Sequence, residues 1–168
     1  MKYYDYPGAP LLHSALPPHD LVEAPYGWAQ MEALEGFGGW MGSSIDLTRF
    51  MNSIDGTGSA HFLADASITL FTEDPYVPTF NATDWYGMGI VLVPRPGGLY
   101  WYHNGGCPGT TALLAHRPGG YDWAVVLNTA PSNPGALLNA LHQQINGLID
   151  AGMSDSGGDL YGRYPSLP

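Results

Sequence analysis

The stretch "YWYHNGGCPGTTALLAHRPGG", residues 100–120, sets His103, Asn104, Gly105 and Gly106 between two apolar, strand-like runs. That pattern has a chemical use. Glycines at the end of a strand let a ligand backbone approach with no Cβ in the way. The amide after them can donate to an oxyanion as charge develops on a carbonyl. The same four residues also read as a glycine-rich hairpin turn, and on this motif alone the turn is the better reading.

Other chemistries find less support. His13, His19 and Asp20 lie close together, but in a proline-rich loop without a third ligand cluster nearby, and no H-x-x-x-H pair exists. They read as solvated loop residues. His116, beside Arg117 at a turn, and His142, on a helix, read as surface residues. No metal and no cofactor is expected. "GFGGWMG" and "HNGGCPG" are rich in glycine but match neither a Walker nor a dinucleotide fingerprint. For a nucleophile there is no G-x-S-x-G elbow and no S-x-x-K, the only lysine being Lys2. "YHN" at 102–104 is formally Y-x-N, but it overlaps the glycine motif and counts as coincidence. Ser43 or Ser44 working with His103 and an acid would make a small unrelated hydrolase, but nothing in the sequence positions such a triad.

Composition bounds the partners. The chain has 168 residues, enough for one domain with a real core. Fifteen acidic residues against five scattered basic ones give a formal charge of −10. A nucleic-acid partner is excluded on that ground, because phosphate neutralisation needs clustered Lys and Arg. Cys107 is the only cysteine, so no intrachain disulfide and no thiolate cluster can form. No segment approaches a membrane span, and the first twenty residues hold no apolar run of signal-peptide length.

The elements that must position His103–Gly106 follow from periodicity. Residues 1–35, with five prolines, read as extended loop. Ser43 and Asp46 make an S-x-x-D start signal for a short helix near 44–55, ending at Gly56. A second short helix is expected over 60–71. Four strands follow, near 86–94, 98–104, 110–116 and 122–129, turning at "PRPGG" and "RPGGY". "WAVVL" is apolar at consecutive positions, which marks a strand covered on both faces. A long helix then starts at the Asn133 cap with Pro134 in its first position and ends at Gly152. The tail, 153–168, reads as irregular. The expected fold class is α+β, an antiparallel meander of about four strands with the C-terminal helix on one face. It forms one partial domain whose core is 36–152.

Several pieces together resemble the serine β-lactamase-like and penicillin-binding-protein family, which includes class C β-lactamases, D-alanyl-D-alanine carboxypeptidases and related esterases. "GFGGWMGSSIDLTRFMNSI" resembles its GG-x-x-ST-x-x-D-L-x-x-F block, and "YGMGIVL" its Y-G-x-G-W segment. "HNGGCPG" resembles its H-x-G-G-x-P-G segment, and the strand after it the V-V-x-x-N pattern. The match spans about residues 36–150, in family order. The resemblance implies acyl transfer on a β-lactam, a D-Ala peptide or an ester: a serine attacks the carbonyl and water clears the acyl-enzyme. His103, Asn104 and Gly105 match the K-T-G or H-x-G wall, and the amide of Gly106 would be one oxyanion donor. Family members are often exported or periplasmic.

The departures are large. The S-x-x-K and the true Y-x-N lie N-terminal to these motifs in the family and are absent here, so the chain resembles the C-terminal half of a catalytic domain. The other half is then lost, carried on another chain, or missing through truncation of the reading frame. Without a nucleophile the chain is expected to be inactive alone, or to serve as a binding or assembly module. In the family the strand matching 122–129 pairs with an N-terminal strand, which is missing here. An apolar strand with an open edge seeks pairing. A homodimer, a complementing half, or a cover from residues 1–35 is therefore expected along 122–129.

Overall fold

A computed structural model describes residues 1–34, 36, 38, 40–56, 62–73 and 83–152. It is α+β, with an antiparallel five-stranded sheet and a C-terminal helix. The chain divides into two compact units, Met1–Ser132 and Asn133–Pro168, the second described as far as residue 152.

In the first unit the elements run β1 (Tyr4–Asp5), β2 (Leu11–His13), β3 (Leu21–Glu23), α1 (Ser44–Ile54), α2 (Asp65–Thr72), β4 (Trp85–Tyr86), β5 (Val91–Arg95), β6 (Gly98–Cys107), β7 (Thr110–Arg117), β8 (Tyr121–Leu127) and β9 (Thr129–Ala130). Strands β4 to β8 form the sheet in chain order, every neighbour antiparallel. Local signals account for most of this. Pro96–Gly97 joins β5 to β6 and Pro108–Gly109 joins β6 to β7, each with its glycine at positive φ, as a two-residue Pro-Gly turn requires. Helix α1 begins with a capping box: the Ser43 amide donates to the Asp46 carboxylate at 2.8 Å, and the Asp46 amide donates to Ser43 Oγ at 3.2 Å. The Ser43 amide, with the Ser43 hydroxyl, holds the Asp46 carboxyl below its ordinary pKa. Ser43 is thereby engaged as a cap.

The core sits between α1 and one face of the sheet. Residues directly opposite across a ladder share a face, so Leu92, Trp101, His116 and Asp122 lie on one side. Met51 and Ile54 of α1 pack there against Ile90, Leu92, Trp101 and Leu114, with Ile68 and Phe71 of α2 at the margin. Met51 and Leu92 are fully buried, and burying a side chain of this size contributes about 1.5–3 kcal/mol.

Three expectations change. Residues 1–35 are not all loop: β2 and β3 form a hairpin, and β1 runs parallel to β9. Strands this short carry no readable period. The strand expected over 86–94 is two strands, because Gly87–Gly89 reverses the chain. Gly87 donates to the Ile90 carbonyl at 2.9 Å, and a Cβ on it would meet the Phe71 carbonyl oxygen at 2.5 Å. The second helix begins at Asp65, and residues 60–61 of its expected span lie outside the described residues, as does the tail 153–168.

In the second unit, α3 (Pro134–Asp150) starts as expected: Asn133 Oδ1 accepts from the Ala136 amide at 3.0 Å, and Gly152 sits at positive φ. Leu137, Leu138, Leu141, Ile145 and Ile149 form its half-buried stripe. No helix among the described residues is long and apolar enough to cross a membrane.

Candidate functional site

Residues 103–107 are strand, not turn. The ladder between β6 and β7 continues from Trp101–His116 through His103–Leu114 and Gly105–Ala112 to Cys107–Thr110. On the other side of β6 the ladder stops sooner. Val91 is the first residue of β5 and faces Tyr102, so His103–Cys107 have no strand partner there among the described residues. His103, Asn104, Gly105 and Gly106 are all exposed. The result is a half-strand held rigidly from one side and open along the other, where alternate residues turn N–H and C=O outward.

The glycines within it are not required by the fold. Neither Gly105 nor Gly106 has a positive φ. A Cβ on Gly105 would meet only the Ala112 Cβ at 3.9 Å, and one on Gly106 only the Thr110 carbonyl oxygen at 3.9 Å, both ordinary contacts. Gly109, three residues on, is the opposite case. Its φ is +77°, and a Cβ would strike Pro25 at 2.7 Å and Tyr3 at 2.8 Å.

At the head of the open edge, His103 Nε2 is hydrogen-bonded to Tyr86 Oη at 3.1 Å, with the rings edge to face at 6.2 Å. Tyr86 comes from "YGMG", and the tight glycine turn after it is what sets β4 beside β5. The sequence reading missed Tyr86 because that segment looked like one continuous strand. Next to it, burial pushes the Tyr102 phenol up, Asp84 adds to this and Arg95 partly offsets it. Burial likewise raises the Cys107 thiol, which keeps it protonated and a poor nucleophile.

His116 is placed differently from its reading as a surface residue. It is 6% exposed. Its Nδ1 lies 2.8 Å from Asp122 Oδ1 and 3.3 Å from Asp55 Oδ2, and both aspartate side chains are buried. Trp101 covers the ring at 5.1 Å between centroids. Asp122 stands directly across the β7–β8 ladder, and Asp55 is the C-cap of α1. Burial pushes the Asp122 carboxyl above its ordinary value, against the pull of His116 and with the repulsion of Asp55. His142 is half-buried on α3, and burial pushes its imidazole down. The two loop histidines are tied to backbone: His13 Nδ1 to the His19 carbonyl at 2.9 Å, and His19 Nδ1 to the Ser14 carbonyl at 2.8 Å.

The outer side of β8 is the second strand edge. Strand β8 ends the sheet order, with no further strand beside Tyr121–Leu127 among the described residues. Just beyond it residues 1–5 supply a cover. The Tyr4 amide donates to the Asn128 carbonyl at 3.0 Å, Asn128 Nδ2 donates to the Lys2 carbonyl at 2.8 Å, and Thr111 Oγ1 donates to the Thr129 carbonyl at 2.9 Å.

No family model, curated protein or solved structure matches this chain.

Proposed function

We propose that this chain supplies the substrate-edge wall of a serine acyl-transfer hydrolase of the β-lactamase and penicillin-binding-protein kind, and is catalytically silent alone. One observation carries the reading. His103–Cys107 form an exposed half-strand with no strand partner on one side among the described residues, and with two glycines that the fold does not need. An extended peptide, or a β-lactam or ester that mimics one, fits such an edge by adding to the sheet. In the completed site a serine oxygen from another chain would bond to the substrate carbonyl carbon. The Gly106 N–H would stabilise the oxyanion, and the amine or alcohol would leave with a proton. Water would then release the acid and restore the serine. The sequence given contains no S-x-x-K, and the remaining parts of such a machine yield little rate without their nucleophile.

The test is an amide-resolved NMR titration of the chain with a D-Ala-D-Ala peptide and with a β-lactam, alongside turnover of nitrocefin and a p-nitrophenyl ester. Shifts confined to His103–Cys107, with no turnover, are expected. Shifts elsewhere, or covalent labelling by a fluorophosphonate, would overturn the reading. A second reading, a complementing half that docks a separate S-x-x-K chain along β8, is favoured by the place of β8 at the end of the strand order. Ester hydrolysis that appears only on mixing the two chains is its expected signature.

A further inference from the structure

Behind the open edge, on the α1 side of the sheet, lies a cluster that the proposed reaction does not use. We propose that Asp55, His116 and Asp122 form a buried site for one divalent transition-metal ion of the zinc class, bound through His116 Nδ1 and one oxygen from each aspartate.

Convergence is the first argument. Three ligand atoms from three different elements lie within 4.8 Å of one another, two of the separations being 2.8 and 3.3 Å. Bonds of about 2.0–2.2 Å from zinc to nitrogen and oxygen put neighbouring ligand atoms about 2.8–3.6 Å apart at octahedral or tetrahedral angles. Two of the three separations already fall in that range.

Charge is the second argument, and it is independent of the distances. Two carboxylates are buried with one imidazole. Asp55 also caps the C-terminal end of α1, where the helix dipole places further negative potential. Even with His116 protonated, the three side chains sum to −1 when both aspartates are ionised. A cation placed between two buried carboxylates is attracted to both with little screening by solvent.

Donor type selects the metal. One nitrogen and two carboxylate oxygens, without sulfur, suit zinc, cobalt or nickel; calcium and magnesium take oxygen ligands. Trp101 and the core residues around it screen the ring from solvent. The ion would tie the end of α1 to β7 and β8, the strands that hold β6 in place.

The experiment uses the full chain, stripped with chelator and titrated with cobalt(II) and zinc. One equivalent of cobalt should develop visible d–d bands that zinc bleaches, and saturating zinc should raise the thermal midpoint by about 5 °C or more. Asp122→Asn keeps the shape of the side chain and should abolish both signals, whereas H13N, H19N and H103N should keep them. If Asp122→Asn fails to fold, the wild-type chain still decides: zinc must move the ¹⁵N resonance of His116 Nδ1. Flat cobalt spectra, an unchanged midpoint, or zinc held equally by Asp122→Asn would overturn the proposal and leave a hydrogen-bonded acid–base triad.

Discussion

His103 and His116 project from the same face of one sheet, on neighbouring strands and two rungs apart, yet their surroundings are opposite. His116 is walled in by Trp101, α1 and two carboxylates. His103 is exposed, with one phenol for company. The difference is where the covering elements end. α1 spreads over β7 and β8, while β5 begins only opposite Tyr102 and so leaves the last half of β6 uncovered. One residue type on one surface is thus a structural clamp where cover is complete and a candidate ligand contact where it stops.

The widest separation between the two should appear on deletion. His116→Ala leaves two buried carboxylates without their partner and should cost about 3–5 kcal/mol in urea unfolding. His103→Ala should change stability by no more than about 0.5 kcal/mol. Equal effects on the two would break the contrast between clamp and contact. The glycines give the next step down. Gly109→Ala forces a side chain into left-handed backbone against Pro25 and Tyr3, and should cost about 2 kcal/mol. Gly106→Ala meets nothing closer than 3.9 Å and should stay within about 0.5 kcal/mol of wild type while weakening ligand shifts along the edge. A large stability loss from Gly106→Ala would mean that the fold, not a ligand, needs that glycine. Tyr86→Phe removes one exposed hydrogen bond. Its expected result is a change in the His103 ring nitrogen shifts, with stability lowered by less than about 1 kcal/mol.

What the sequence made legible was local. The Ser43–Asp46 box, the Asn133 cap with Pro134, and the turns at "PRPGG" and "RPGGY" each act within a few residues, and α1, α3 and the meander stand where those signals put them. The edge residues His103–Gly106 were legible as chemistry, but their state was not. A glycine pair reads as a turn unless the partner strand is known, and here β7 holds them extended. The burial of His116 was hidden for the same reason. Its neighbours Arg117, Pro118 and Gly119 announce a surface turn, while Asp55 reaches it only through the packing of α1 on the sheet. The pairing of β1 with β9 joins two-residue strands from distant parts of the chain, which no period can reveal.

A third histidine sharpens the comparison at its weakest end. On α3, burial pushes the His142 imidazole down. The folded form therefore takes up its proton at lower pH than the unfolded chain does. As pH falls through the ordinary histidine value of about 6.5, the unfolded state binds the proton first and gains on the folded one. The stability associated with the neutral ring is thus complete above that value and is lost as pH falls below it. His142→Gln should flatten this part of the pH dependence of the thermal midpoint between about pH 7 and pH 5.5, and the difference between the two curves should be small because the residue is only half-buried. A His142→Gln curve parallel to wild type would mean that burial alone does not set this imidazole. The contrast between His116, held by two carboxylates, and His142 would then need another basis.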